Sequence, residues 1–448
     1  MTDTALPALA QALMQAALKA GAEAADAMAV AGTSLSIDIR QGKLEQAERA
    51  EGTDLGLRVL IGGRQACVSA SDTSPATLSA LAERAVAMAR EAPEDPSAGL
   101  ADPAQLAQGW DMAALELEDG SADPAAGALE AAARALEAAA LSEQGITQAE
   151  ASAAFSRRAI AIAQSNGFSG SYGRTSHSRS VTAFCGSGTA MERDYAGEAR
   201  IFAADLPGHE EIGQRAATRA LERLGAVKPP TGTYPVLYDE RVAASLIGHL
   251  LGAINGSAIA RGASWARDLM DKPVLPDGLS LVEDPLRVRS SASRPFDAEG
   301  LPTRAKALVQ DGRLASWLLD LATARRLDLT STANAARGPS APPSPGITNV
   351  ELTPGTASRE DLIAQMGTGL LVTSMIGSTI SATTGDYSRG AAGFWVQDGR
   401  ISHPVNECTI AGNLRDMLRR IVPANDARPH LAMRVPSLLI DGMTLAGA

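Results

Sequence analysis

The sequence predicts an α+β fold, with a two-part α/β N-terminal region (residues 1–227) and a β-rich, barrel-like C-terminal domain (residues 228–448). Three observations predict this class. The chain has 448 residues, more than one hydrophobic core usually serves. Helical and strand patterns alternate twice before a proline-rich segment at 228–232. Beyond that segment, mostly short apolar runs are broken by glycine and proline, which is typical of barrels and sandwiches.

The first sub-unit is predicted over residues 1–115. Its elements are an amphipathic helix, a strand with alternating apolar and polar residues, a hairpin and a second helix, over 5–21, 27–40, 53–71 and 75–91. Gly62-Gly63 predicts the hairpin turn, and Pro75 suits the first position of the second helix. The segment that follows, 92–123, is rich in proline and glycine and predicts a connection.

The second sub-unit, 116–227, is predicted to have a similar composition of elements. They are a helix, two strand regions and a final helix, over 125–141, 153–164, 181–201 and 209–224. Asn166-Gly167 predicts a hairpin turn between strands. The final helix has Glu210 and Glu211 at its positive end and Gly225 after its last turn. The sequence therefore predicts two related units before the C-terminal domain.

Composition excludes several functional classes. The net charge of -11 disfavours a nucleic-acid surface, which needs clustered lysine and arginine. No apolar run is long enough to cross a bilayer, and the first residues lack the pattern of a secretory signal. Cys67, Cys185 and Cys408 are widely spaced and form no C-x-x-C pair, which indicates reduced thiols. We therefore expect a cytoplasmic protein without membrane or nucleic-acid partners.

Familiar catalytic motifs are incomplete in this chain. His209-Glu210-Glu211 begins like a zinc-peptidase helix, but Gly213 stands where the second histidine is needed. The simpler interpretation is a helix N-terminus with favourable acidic residues. Glycine-rich segments also lack the spacing of a nucleophile elbow, a dinucleotide loop or a phosphate loop.

Two C-terminal stretches carry candidate functional residues. Asp386, Tyr387 and Arg389 combine an acid, a phenol and a guanidinium beside glycines. Arg389 could clamp a carboxylate or carbonyl, and Tyr387 could contact a backbone. The alternative, favoured by these residues alone, is an Asp386–Arg389 ion pair that braces a turn. In the second stretch, Glu407 is either a surface acid or the partner of a basic group.

Several segments, taken in order, resemble the TldD/PmbA family, and most closely its PmbA (TldE) branch. They lie at 235–238, 243–255, 260–264, 294–297, 385–391, 410–413 and 440–444. The resemblance spans essentially the whole chain. It implies an α/β N-terminal region, a β-rich C-terminal domain and a heterodimer with a TldD-type subunit.

The resemblance also implies where a metal site is lost. The TldD-type subunit is expected to bind zinc through His-Glu-x-x-x-His and a C-terminal cysteine. Here Ala244 and Ser245 replace the first histidine and the glutamate, His249 remains, and 425–434 contains no cysteine. A zinc hydrolase needs about three protein ligands and a general base. We therefore expect no catalytic residue, metal or other cofactor in this chain, and zinc in the partner.

These observations predict a non-catalytic subunit that shapes the cavity of a zinc metalloprotease and holds peptides or unfolded proteins. The candidate substrate or interface residues are His249, Arg261, Asp386, Tyr387, Arg389 and Glu407. One alternative is a regulatory interaction protein of the DNA gyrase modulator type, without a peptidase role. Another is a homodimeric enzyme that binds metal through His249 and other acids. In the absence of its partner, this chain is also a candidate to form a homodimer.

Overall fold

The structure is a computed structural model that describes residues 5–448. The described helices are α1 (Ala5–Lys19), α2 (Pro75–Glu91), α3 (Ala126–Leu141), α4 (His209–Leu221), α5 (Glu240–Ala253), α6 (Gly256–Ala260), α7 (Leu321–Arg326), α8 (Arg359–Met366) and α9 (Leu414–Leu418). Within this part of the chain, every helix is too short or too polar to span a bilayer.

The strands fall into an N-terminal and a C-terminal group. The first contains β1 (Ala24–Arg40), β2 (Lys43–Ile61), β3 (Arg64–Ala70), β4 (Ile146–Gln164), β5 (Ser169–Cys185) and β6 (Glu192–Arg200). The second contains β7 (Gly232–Tyr238), β8 (Leu281–Glu283), β9 (Lys306–Gln310), β10 (Arg313–Leu314), β11 (Ala335–Ala336), β12 (Ser344–Pro345), β13 (Val350–Leu352), β14 (Gly369–Ile380), β15 (Asp386–Gln397), β16 (Arg400–Asn413), β17 (Val422–Pro423), β18 (Met433–Arg434) and β19 (Leu438–Ala446).

The N-terminal strands form one antiparallel sheet in the order β3-β2-β1-β4-β5-β6. Strands β1 and β4 join the two predicted sub-units, with register from Asp26 opposite Gln164 to Arg40 opposite Glu150. Helices α1 and α2 share a core with one half, and α3 and α4 with the other. Thus strands from both sub-units belong to one sheet, while the boundaries at 115 and 227 stay predictions.

The helices pack on one face of this sheet, and the other face carries none of them. Val181 and Ala183 are buried in the core formed with α3 and α4. Ser176, Ser178 and Ser180 lie on β5 at the alternating positions and remain partly or fully exposed. Segments of the C-terminal domain near residues 290 and 430 lie beside this open, polar face.

Five strands of the C-terminal domain close into a barrel. Each pairs with the next in the cycle β7, β14, β15, β16 and β19, and β19 pairs back with β7. Only the β7–β14 pairing among these is parallel. A smaller sheet, in the order β10-β9-β8-β13-β18, shares a large core with the barrel and α5. The predicted barrel-like domain is therefore confirmed.

A buried ionic cluster joins the two domains. Asp26 on β1 accepts a 2.6 Å hydrogen bond from Arg58 on β2 and a second one from Arg337. All three side chains are almost completely buried. The segment at 338–346 continues from Arg337 onto the N-terminal sheet, where a Cβ on Gly56 would lie 2.2 Å from the Pro339 carbonyl oxygen. Only glycine lets the two backbones approach so closely here.

Most element types agree with the sequence, whereas some lengths do not. The predicted helix over 75–91 matches α2, and both residues of the Gly62-Gly63 turn have positive φ. The strand predicted to begin at Thr53 instead begins at Lys43. Residues 43–52 are all exposed, and burial begins only at Thr53. This first half of β2 therefore has no alternation of buried apolar residues that could signal a strand.

Candidate functional site

Helix α5 places His249 beside the barrel. The Asp239 side chain caps the helix by accepting a hydrogen bond from the Arg241 amide at 3.2 Å. Leu246, Ile247 and Leu250 are buried in the core, which fixes the rotation of the helix. His249 is consequently half-buried at the edge of this core, with its Nε2 buried and lacking a hydrogen-bond partner in the described structure.

Tyr387 on β15 is the aromatic neighbour of His249. Their ring centroids lie 6.0 Å apart with an edge-to-face arrangement. The Tyr387 hydroxyl lies 3.4 Å from the Tyr238 hydroxyl and 3.5 Å from the Met375 sulfur. Burial raises the pKa of both tyrosines above the ordinary value, so both phenols are protonated at neutral pH. Tyr387 thus helps to fix the wall against which His249 packs.

Arg389 supplies a positive charge to the same site. It follows Tyr387 by two residues on β15, which places both side chains on the same face of the strand. Its Nε donates a 2.8 Å hydrogen bond to the Gly377 carbonyl oxygen, and within residues 5–448 its terminal nitrogens form no hydrogen bond or ion pair. Burial, and then the Arg389 charge, lower the pKa of His249, which is therefore neutral at pH 7.

Asp386 does not pair with Arg389. Its carboxylate accepts hydrogen bonds from Thr384 Oγ1 at 2.6 Å and Asn413 Nδ2 at 3.0 Å. These bonds lower its pKa below the ordinary value. The Asp386–Arg389 turn brace considered from sequence is therefore wrong, because residues three apart on a strand face opposite sides of the sheet. Asp386 instead ties the start of β15 to the end of β16.

The remaining candidates lie apart from the His249 site. Arg261 is exposed and follows the last turn of α6. Glu407 is exposed at an irregularity in the β15–β16 pairing, with a positive φ of 49°. Its carboxylate lies 3.2 Å from Lys228 Nζ. Of the residues proposed from sequence, only His249, Tyr387 and Arg389 lie together in the part of the chain that the structure describes.

The residues around His249 do not fit a zinc ion. A catalytic zinc needs about three nitrogen, sulfur or carboxylate ligands. His249 instead has a phenol and a cation as neighbours, and Ala244 and Ser245 offer neither imidazole nor carboxylate. Across residues 5–448, no group of three or more His, Cys, Asp and Glu side chains is arranged to hold a metal. The side chains around His249 therefore cannot support a metal-dependent step.

The arrangement can bind a polar ligand but lacks an acid–base pair. The neutral imidazole and the unpaired guanidinium nitrogens can form hydrogen bonds with carbonyl or carboxylate oxygens. Among residues 5–448, no carboxylate hydrogen-bonds the His249 imidazole, unlike the arrangement in nucleophilic catalysis. Sequence reasoning missed Tyr238, although strand alternation before the Asp239 cap could have placed it on the core face.

Comparisons with known proteins agree with this architecture. The family descriptions PmbA/TldA metallopeptidase domain 1, central domain and C-terminal domain match residues 25–89, 118–224 and 231–447, respectively. Metalloprotease PmbA of Escherichia coli O157:H7 is 38% identical over 93% of this chain and 90% of its own. The chain belongs to the PmbA/TldD family. Within this family it belongs to the PmbA (TldE) branch.

Two further relatives support this family assignment. The Metalloprotease PmbA homolog of Haemophilus influenzae is 33% identical over 97% of this chain and 94% of its own. A crystal structure from Bacteroides thetaiotaomicron, described as a modulator of DNA gyrase, has a TM-score of 0.92 and 27% identity. It covers 100% of both chains. The PmbA/TldD fold therefore extends over the entire chain, and the family names indicate a peptidase-family role.

Proposed function

We propose that this chain is the non-catalytic subunit of a heterodimeric zinc metalloprotease. A TldD-type partner supplies the zinc, the activated water and the general base. This subunit closes the cavity and holds peptides or unfolded proteins for cleavage. His249 and Arg389 contact the substrate backbone or the partner, while Tyr387 supports His249.

The observation that carries this proposal is the composition of the His249 site. A half-buried neutral imidazole and a guanidinium with free donors remain, while carboxylates and further metal ligands are absent from their contacts in the described structure. Such a site can position an oxygen-rich ligand without generating a nucleophile. Membership in a family named for metallopeptidases supports assigning the chemistry to another subunit.

The experiment measures cleavage of a disordered peptide by this chain, by its TldD-type partner and by their mixture. We expect activity in the mixture alone, with metal analysis placing zinc in the partner. Cleavage by this chain alone, or a stoichiometric metal in it, would contradict the proposal and favour a homodimeric enzyme using His249. An inactive mixture with a zinc-loaded, folded partner would also contradict it.

A regulatory role is the second candidate function. It is favoured by the likeness to the Bacteroides thetaiotaomicron protein described as a modulator of DNA gyrase. The negative net charge disfavours direct contact with DNA and directs this hypothesis to a protein partner. Stable binding to a purified gyrase subunit, combined with unchanged peptide cleavage in the mixture above, would favour regulation over proteolysis.

A further inference from the structure

A cavity of about 680 Å³ lies where strand β6 of the N-terminal sheet meets strand β14 of the barrel. Its volume is typical of sites that hold small ligands or peptide side chains. Residues of β5 and β6 line it from the sheet, and Thr373 and Ser374 of β14 line it from the barrel. We call this space the β6–β14 cavity. It is distinct from the His249 site, because His249, Tyr387 and Arg389 do not line it.

Phe184 and Tyr195 bring two aromatic rings to the sheet side of this cavity. In the β5–β6 register, Phe184 lies directly opposite Arg193. Tyr195 lies directly opposite Thr182, which also lines the cavity. Opposite residues share a face of a sheet, and so do residues two apart on one strand. These four side chains therefore lie on one face, and it is the face without helices, because the alternating Val181 is buried in the core with α3 and α4.

The apolar side chains of the cavity are only partly covered by the rest of the protein. Tyr195 is 58% exposed, and Met191, which also lines the cavity, is 53% exposed. Phe184 is half-buried, and within residues 5–448 neither its ring nor that of Tyr195 pairs with another aromatic ring. Large apolar side chains gathered at a cavity are a feature of binding sites. The cavity therefore offers apolar surface to a ligand.

Arg193 is the cationic residue of this cavity that lacks an acidic partner. It is exposed, and across the part of the chain that the structure describes it forms no hydrogen bond, ion pair or cation–π contact. Each carboxylate in the cavity lining, by contrast, has a cation of its own. The pairs are Glu150–Arg40 at 3.3 Å, Glu192–Arg223 at 3.4 Å and Asp194–Arg241 at 3.2 Å. The charge that remains available to a ligand is therefore positive.

The apolar and cationic side chains of the cavity together favour an aromatic ring. Phe184 and Tyr195 can pack against a ring in offset-stacked or edge-to-face arrangements. The Met191 sulfur also makes favourable contacts with aromatic rings, and the Arg193 guanidinium is attracted to the face of a ring. An aliphatic side chain would gain the apolar contacts alone, and a carboxylate would gain the Arg193 charge alone. An aromatic side chain is therefore the ligand that uses every one of these groups.

We propose that the β6–β14 cavity binds an aromatic side chain of an extended peptide. Strand β14 connects the cavity with the His249 site, because Ser374 lines the cavity and the Gly377 carbonyl oxygen accepts the hydrogen bond of Arg389. At about 3.3 Å per residue, these two positions lie about 10 Å apart along the strand. A peptide held at Arg389 thus reaches the cavity with a residue about three positions away. As a determinant of substrate choice, this site rests on the function proposed above; as a binding site, it can be tested on this chain alone.

The test measures fluorescence anisotropy with three labelled disordered peptides. They have blocked termini and no acidic residues, and they differ only in one central residue, which is phenylalanine, leucine or alanine. We expect the phenylalanine peptide to bind at least about tenfold more tightly than the alanine peptide, with the leucine peptide between them. Tyr195→Ala should weaken binding of the phenylalanine peptide about tenfold, whereas Tyr195→Phe keeps the ring and should retain the affinity. Arg193→Gln should weaken the same peptide about threefold, because the cation–π contact is lost.

A matched pair of methionine variants provides the control. Met191→Ala removes a side chain of the cavity and should weaken binding of the phenylalanine peptide, whereas Met88→Ala removes a 47% exposed methionine of α2 outside the cavity and should not. Equal affinity for the phenylalanine and leucine peptides, or equal effects of Met191→Ala and Met88→Ala with unchanged thermal unfolding, would overturn the inference. Cleavage by the mixture with the TldD-type partner, combined with equal binding of all three peptides, would overturn this inference alone. Selective binding of the phenylalanine peptide without cleavage by the mixture would overturn only the proposed function.

Discussion

At the junction between the domains, Arg58 and Arg337 both contact the Asp26 carboxylate, whereas Arg389 in the barrel contacts a backbone carbonyl and no carboxylate within the described structure. The junction is buried, with Arg337 only 1% exposed. Arg389 is half-buried beside His249. The same type of side chain is therefore enclosed by protein at one place and left with free donors at the other.

This difference separates structural charge from charge that can serve a ligand. Removing one member of a buried ion pair leaves an uncompensated charge in a medium that solvates it poorly. Removing a half-buried guanidinium with free donors leaves no carboxylate without a partner. The junction should therefore control stability, and the barrel site should control peptide turnover. Each prediction below tests one side of that comparison.

The largest expected effect is on the junction. Asp26→Ala leaves the buried guanidinium groups of Arg58 and Arg337 without their shared carboxylate. We expect the free energy of unfolding to fall by about 3–5 kcal/mol, as for other broken buried pairs. Urea denaturation followed by circular dichroism measures this change.

Glu51→Ala is the control for that substitution. Glu51 forms an exposed ion pair with Arg49, at 3.4 Å, on the same sheet. We expect a loss of less than about 1 kcal/mol, because solvent screens such pairs. Equal losses for Asp26→Ala and Glu51→Ala would show that the junction is not the stabilising element described here.

Local patterns predicted much of the fold but not its long-range ionic contacts. Pro75 and the Gly62-Gly63 turn act through backbone geometry, so their elements could be read from neighbouring residues. The Asp26–Arg337 contact joins residues 311 apart in the chain. No spacing rule relates such positions, because their approach depends on how the two domains pack.

The candidate site was likewise predictable only in part. Tyr387 and Arg389 share a strand, so their common face follows from alternation, and the family resemblance indicated His249. The contact of Tyr238 with Tyr387 gave no such signal, because these residues are 149 apart in the chain and meet only in the closed barrel. Glu407 also shows the limit of alternation, because an irregular pairing gives it a positive φ and an exposed side chain.

A second effect, at a buried carboxyl that interacts electrostatically with Arg58 of the junction, depends on pH. Glu299 is buried near Asp297 and Asp320, and burial followed by these acids raises its pKa from 4.5 to about 8. The folded chain therefore retains a proton that the unfolded chain releases above pH 4.5. We expect this carboxyl to contribute a decrease in stability, on the order of 4 kcal/mol, as pH rises from about 4.5 to about 8.

Urea denaturation over this pH range tests the contribution of Glu299. Glu299→Gln keeps a neutral side chain of similar shape and removes the titration. We expect the variant to have a flatter dependence of stability on pH than the wild type. Identical slopes for the two proteins would assign the dependence to other groups, whereas a steeper slope in the variant would reverse the proposed sign.

The smallest effect on stability is expected at Arg389, where the effect on function should be large. Arg389→Ala removes one hydrogen bond to Gly377 and should lower the free energy of unfolding by about 1 kcal/mol or less. Peptide turnover by the mixture with the TldD-type partner should fall about tenfold, because a charge-assisted contact is lost. The amount of zinc bound by the partner should not change.

Arg400→Ala, at an exposed position on β16, provides the matched control. Unchanged turnover in Arg389→Ala would remove Arg389 from the site. A loss of stability as large as that of Asp26→Ala would make its role structural, because the free guanidinium donors would then not explain the effect of the substitution.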